Sequence, residues 1–167
     1  MIAYTRIDSP LGDLLLVGEQ HANGLVLASV SFSDQRDAPR PQPDWTPDAT
    51  AFTEVARQLR EYFDGRLTQF DLALAGRGTP FQERVWAALE TVPYGATTTY
   101  GQMAEKVGAP RDRIRAVGAA IGANPLLIVR PCHRVVGANG SLTGYAGGVP
   151  RKERLLIQEG ALQPLFA

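Results

Sequence analysis

The chain is poor in the residues that build disulfides and metal sites: one cysteine and two histidines in 167 residues. A single thiol excludes an internal disulfide and a cysteine-based zinc site. His21 has no second His or Cys nearby and reads as a surface residue in a turn. Long apolar runs are missing too, none approaching the roughly 20 residues of a membrane helix. Met1-Ile2-Ala3-Tyr4 offers no basic start and no apolar h-region, so no secretory signal is read there and the cytoplasm is the expected compartment. Net charge is absent, with 17 Lys/Arg against 17 Asp/Glu. What remains, 44% apolar and 20% charged residues, is the composition of a soluble globular protein of one or two small domains.

The zero net charge conceals an asymmetry. Residues 1–105 hold 8 Arg/Lys and 14 Asp/Glu, a balance of −6. Residues 106–154 hold 9 Arg/Lys and 2 acids, a balance of +7. A basic half on a neutral chain is the footprint of a polyanion-binding surface, and scattered solvated arginines are the plainer reading.

In chain order, Ile2–Asp8, Asp13–Gly18 and Gly24–Phe32 read as strands of an antiparallel meander. Ser33–Pro47 is a proline-rich loop. Thr46-Pro47-Asp48 reads as a helix start with Pro at the first position. Phe52, Val55, Ala56, Leu59 and Phe63 follow at helical spacing until Gly65. Phe70–Leu74 returns as a strand. Asp8 and Asp13 invite a metal-hydrolase reading, but two turn aspartates are common. Gly76-Arg77-Gly78 is a candidate hinge, so the expected domains are 1–75 and 76–167. Thr79-Pro80 caps a helix with Phe81, Val85, Trp86 and Leu89 on its apolar face. Gly101–Val107, a Gly108-Ala109-Pro110 turn and Arg111–Ala123 make a helix-turn-helix pattern, with Ile114, Val117 and Ile121 inward. The other face of the second helix is nearly featureless: Ala116, Gly118, Ala119, Ala120, Gly122 and Ala123, with Arg115 projecting from it. Small residues suit a packed helix and a close approach to a groove alike. Asn139-Gly140 is a turn signal, Leu142–Gly148 a Gly-rich loop, and Arg151–Glu159 a helix packing Leu155, Leu156 and Ile157. The fold class is α+β: a small sheet with a helix, then a mainly helical domain.

The chemistry centres on residues 128–136, where the lone cysteine sits. Apolar Leu126–Val129 leads in and Val135-Val136 leads out, and both read as buried strand. Pro131 breaks the strand, presenting Cys132 at a turn beside His133, Arg130 and Arg134. Cationic neighbours favour the thiolate. The plainer reading of a lone Cys is a small buried hydrophobe.

Pro131-Cys132-His133-Arg134-Val135 resembles the signature of the O6-alkylguanine-DNA alkyltransferases, the methylated-DNA–protein-cysteine methyltransferases. The resemblance continues through Arg115-Ala116-Val117-Gly118, Asn124-Pro125, Gly144-Tyr145-Ala146-Gly147-Gly148 and Glu159-Gly160. It is close over 79–160 and loose before that. It implies a ribonuclease-H-like N-terminal part, without the zinc ligands some relatives carry, and a winged-helix-like C-terminal domain. It implies irreversible, single-turnover transfer of the alkyl group from O6-alkylguanine in duplex DNA to Cys132, with O4-alkylthymine a further candidate substrate. It implies no cofactor, no metal and a monomer.

For the residues, it implies that His133 activates Cys132 through a water while Glu159 orients His133. Adjacent side chains of a strand point to opposite faces, which is why a direct contact is not expected. Tyr100 is implied as proton donor to guanine N3. Tyr145, Ala146 and Gly147 are implied to meet the base, Ala146 without the serine hydroxyl of many relatives. Arg115 matches an arginine finger that fills the space of an extruded base, on a helix whose Ala116, Gly118 and Ala119 fit a minor groove about 6 Å wide. Tyr100 and Arg134 complete the expected DNA contacts, and Asn124 matches a hinge. The alternatives are a Cys-His hydrolase and an alkyl-base sensor that does not repair. Stoichiometry separates the three.

Overall fold

The computed structural model describes residues 1–163; residues 164–167, the end of the expected second domain, lie outside them. Contacts divide the chain into two units, Met1–Gly76 and Arg77–Ala167.

The first unit is built on a meander of β1 (Ile2–Ile7), β2 (Leu14–His21) and β3 (Gly24–Phe32), paired antiparallel in that order. β2 lies between its neighbours and is buried on both faces from Leu14 to Gly18. The β2–β3 register slips at Val17/Gly18. A Cβ on Gly18 would meet Leu25 Cδ1 at 2.8 Å and Val26 O at 3.0 Å, a crowding that favours glycine at the slip. His21 closes β2 and is exposed.

Two expectations fail here. Thr46-Pro47 is not a helix start: it is a two-residue strand, β4, parallel to β1 at the sheet edge. An edge position accommodates a proline that cannot donate to a ladder. Asp48 follows, its carboxylate accepting from Ala51 N at 3.2 Å, and helix begins as a 3₁₀ turn at Thr50–Phe52 before α1 (Thr53–Phe63). α1 buries Val55, Ala56, Leu59 and Tyr62. Phe70–Leu74 forms only an isolated parallel bridge, Leu27 to Leu74. The buried Gln58 amide takes the place of a strand partner, donating to Asp71 O at 3.0 Å and accepting from Asp71 N at 2.9 Å.

In the second unit α2 (Pro80–Leu89) and α3 (Tyr100–Lys106) each begin in a capping box, Thr79 with Gln82 and Thr99 with Gln102. Gly78 serves packing: a Cβ there would meet the Trp86 ring at 2.6 Å. β5 (Thr98–Thr99) pairs parallel with β6 (Val135–Val136). The second helix of the pair starts as a 3₁₀ turn at Arg111–Arg113 and becomes α4 (Ile114–Gly122). α4 packs on α2 and α3, and Trp86 Nε1 donates to Ala120 O at 2.8 Å. Val117 and Ile121 are buried, but Ile114 is 36% exposed because it sits on the first turn, ahead of the packed stretch. α5 (Val149–Gln158) buries Leu155 and Leu156 and stops at Gly160, whose φ is 76°. Ile157 points to the rim and is only half-buried. Each buried leucine contributes ~1.5–3 kcal/mol over an exposed one.

Candidate active site

Leu126–Val129 is buried but is not a strand: Leu126 makes a single bridge and Leu127–Val129 is a run of turns. The reason is Asn124. Its side chain accepts from Leu126 N at 3.0 Å and donates to Leu126 O at 3.4 Å and Arg130 O at 3.0 Å. One amide thus satisfies backbone groups on both sides of the turn, which a strand partner would otherwise do. The turn holds Ile128 at φ 72°, a conformation that a β-branched residue rarely adopts. Strain of this kind persists where surrounding packing over-determines it, and here it lies four residues before the thiol.

Cys132–Arg134 forms a single 3₁₀ turn, so the opposed-face geometry of a strand does not apply. Cys132 is 6% exposed and His133 and Glu159 are 0% and 4% exposed. His133 Nε2 lies 2.8 Å from Glu159 Oε2. Arg134 donates to both Glu159 oxygens, at 2.8 and 3.1 Å, and to Val92 O at 2.7 Å. A carboxylate in that fork is an acceptor, so His133 Nε2 carries the hydrogen and donates it. His133 Nδ1 is then a lone pair, buried and without a protein partner among the described residues. Burial holds His133 below its ordinary 6.5, against the upward pull of Glu159, which keeps that lone pair available as a base.

Arg134 is therefore not a DNA contact. It is turned inward and held by Glu159 and Val92. Its place as a charged neighbour of the thiol is taken by Lys152 of α5, which the sequence reading passed over. Lys152 is fully buried, its Nζ donating to Thr143 O at 2.8 Å and Gly144 O at 3.3 Å. Burial pulls its ammonium below the ordinary 10.5. Burial pushes the Cys132 thiol up from 9.0, and the Asn124 hydrogen bond and the charges of Lys152 and Arg130 pull it down. In this structure burial wins, so the cationic neighbours moderate the thiol pKa without depressing it.

Cys132 lines a cavity of about 170 Å³ with Tyr100, Gly118, Ile121, Gly122, Gly144, Tyr145 and Ala146. Residues from α3, α4, the Cys turn and the Gly-rich loop thus meet at one sulfur. Tyr100 OH accepts from Thr143 Oγ1 at 3.3 Å. The Tyr145 hydroxyl is buried without a partner among the described residues, and burial raises it well above 10.0. Gly147 is not on the cavity; it is buried, and its carbonyl accepts from Arg151 Nη1 at 3.2 Å. Arg115 and Ala119 are exposed on α4, and Ala116 and Gly118 are half-buried. Larger hollows exist, one of about 460 Å³ beside Asp8, Arg60 and Phe63, but no thiol or imidazole lines it. Among the described residues no three His, Cys, Asp or Glu cluster as metal ligands, and no helix is long and apolar enough to cross a membrane.

Comparison with known proteins shows the family. Residues 80–161 match the 6-O-methylguanine DNA methyltransferase DNA-binding domain, and residues 2–75 match the ribonuclease-like domain of the same family. The chain belongs to the 6-O-methylguanine DNA methyltransferase family. A methylated-DNA–protein-cysteine methyltransferase of Mycobacterium tuberculosis is 50% identical over 164 residues, covering 98% of this chain and 96% of its own. One from Methanosarcina acetivorans is 45% identical over 158 residues, covering 95% and 98%. The crystal structure of Mycobacterium tuberculosis OGT in complex with DNA superposes with a TM-score of 0.85 at 48% identity, covering 95% of this chain and 93% of that one.

Proposed function

We propose that the chain is a DNA-repair transferase that moves the alkyl group of O6-alkylguanine in duplex DNA to Cys132, once per molecule. The observation that carries it is the convergence at one buried sulfur. A thiol lines a small cavity, a buried His133–Glu159–Arg134 relay stands behind it, and a small-residue helix with an exposed arginine stands beside it.

The cavity is too enclosed to reach a base inside a duplex, so the guanine must be extruded, at a cost of a few kcal/mol. Small residues on the outer face of α4 let the helix backbone approach the minor groove, and Arg115 enters the space that the base leaves. Its planar guanidinium replaces stacking and hydrogen bonds. His133 Nδ1 takes the Cys132 proton through a bridging water, and Glu159 holds the imidazole in the tautomer that permits this. Sγ attacks the alkyl carbon, the S–C bond forms, and the C–O6 bond breaks. The electron pair leaves with guanine O6, and Tyr100 protonates the ring at N3. Tyr145 and Ala146 close over the base edge. The thioether product is stable, so no second turnover follows. The protein works as a cytoplasmic monomer without a cofactor.

With alkylated duplex in excess, the yield of repaired base should level off at one per protein. Continued turnover would replace this reading by a hydrolase, and tight binding with no repair would replace it by a sensor.

A further inference from the structure

The first unit is acidic: residues 1–76 hold 6 Arg/Lys against 11 Asp/Glu, a balance of −5. Three of its six arginines stand against carboxylates. Arg57 pairs with Glu54 and Glu61, Arg66 pairs with Asp64, and Arg60 shares a hollow with Asp8 and Asp64. The other three are Arg6 of β1 and Arg36 and Arg40 of the loop after β3, and all three line one hollow of about 370 Å³. No carboxylate lines that hollow. Among the described residues no acid bonds these guanidiniums, and Arg6 acts on Asp13 through charge alone. The loop that carries two of them is held in shape. Ser33 N donates to Asp13 O at 2.9 Å, Gln35 N to Phe32 O at 3.1 Å and Ala38 N to Gln35 O at 3.2 Å. Gln42 Nε2 donates to Arg40 O at 2.8 Å, and Pro39 and Pro41 stiffen the chain on either side of Arg40. Gln35 also lines the hollow; its side-chain oxygen accepts from Phe32 N at 2.9 Å, which leaves its NH₂ to donate elsewhere.

We propose that Arg6, Arg36 and Arg40 form a phosphate site by which the first unit holds the backbone of duplex DNA. Three cations on one hollow repel one another, and an anion relieves that repulsion. Guanidiniums are planar forks that match the oxygens of a phosphate, and the Ser33 hydroxyl and the Gln35 amide add neutral donors beside them. Charge balance says why an acidic unit needs such a site. Joined to a DNA-binding domain, a unit of balance −5 is repelled by the polyanion unless its free cations are gathered at one place. Phosphate contacts position a duplex without reading its bases, so the site serves damaged and undamaged sequence alike. The inference rests on duplex DNA being the partner, as the proposed function has it.

The test uses the full chain carrying Cys132→Ser and an unmodified duplex, so alkyl transfer plays no part. Fluorescence anisotropy gives the affinity at salt concentrations from about 50 to 200 mM. At ~0.9 per phosphate contact, R6M/R36M/R40M should flatten the slope of log affinity against log salt by about 2 to 3. The advantage of the parent over the variant should therefore shrink roughly 15- to 40-fold across that range, on duplexes of unrelated sequence alike. R6K/R36K/R40K should keep most of the slope, because it keeps the charges. R57M/R66M removes two cations of the same unit outside the hollow and should leave the slope unchanged. A triple Met variant with the parent's slope would overturn the site. So would an R57M/R66M slope that flattens as much per charge, which would reduce the effect to net charge. All three arginines are exposed, so the fold should survive; should the triple variant fail to fold, the single Met variants decide, each expected to flatten the slope by about 1. Failure of the DNA reading itself would look different: the parent chain would show no salt-dependent binding at all.

Discussion

Replacing Glu159 by Gln keeps the shape of the relay and removes its charge. The Glu159 side chain is completely buried, receives His133 Nε2 at 2.8 Å, and holds the Arg134 fork at 2.8 and 3.1 Å. A glutamine has one oxygen for these donors and turns an NH₂ toward the others, so at least one donor faces a donor. Arg134 keeps only Val92 O as a full acceptor and becomes a buried charge without a counter-ion. Removing one partner of a buried pair costs ~3–5 kcal/mol. At ~2–4 °C per kcal/mol for a chain of this size, the lower bound is a fall in Tm of about 6–12 °C. The chemistry weakens separately. Burial already lowers the His133 pKa, and Glu159 is the group that raises it, so E159Q makes the imidazole a poorer base. The single-turnover rate should fall by roughly 10- to 100-fold, less than the 10²–10⁴-fold value of a whole general base. Calorimetry gives the Tm, and quenched-flow repair of an O6-methylguanine duplex, well below the variant's Tm, gives the rate. An unchanged Tm refutes the burial argument. An unchanged pH–rate profile refutes the relay.

Arg115→Ala should slow repair of duplex DNA sharply and spare reaction with free O6-benzylguanine at saturating protein; equal losses on both substrates would mean that Arg115 shapes the cavity. Gly118→Leu should fill the 170 Å³ cavity and abolish repair with little change in Tm, because Gly118 is half-buried and faces Tyr100; retained repair would put the base elsewhere. Stability should have two flanks. His133 titrates below its ordinary 6.5, so unfolded chains bind more protons and stability falls as pH drops below about 6.5. Cys132 titrates above 9.0, so the folded chain holds the extra proton and stability falls as pH rises past 9; denaturant midpoints for wild type and Cys132→Ser measure that flank, which the Ser variant should lack.

Much of the layout was legible in the residues. The meander, the helix cap at Thr79 and the small-residue face of α4 follow from local rules of alternation, capping and composition. Two of the misses share one cause: a buried side chain does the work of backbone. Asn124 turns the apolar run Leu126–Val129 into turns, and Gln58 holds Asp71 where a strand partner was expected. Periodicity carries no sign of either. Charge counting had a similar blind spot. Arg130, Arg134 and Lys152, three of the nine basic residues of 106–154, are buried, so the basic surface is smaller than the sequence suggests. Lys152 begins an amphipathic helix and looks solvated; only its approach to the carbonyls of Thr143 and Gly144 reveals it. Glu159, 26 residues from His133, was selected by resemblance and not by spacing.

The central claim is that Cys132 Sγ is the final acceptor of the alkyl group. Intact mass after incubation with duplex DNA containing O6-methylguanine tests it most directly, followed by mapping of the modified peptide. The expected result is one added methylene mass on every active molecule, located on Cys132 and absent in Cys132→Ser. Demethylated DNA with no mass gained by the protein, or a methyl group mapped to any other residue, would contradict it.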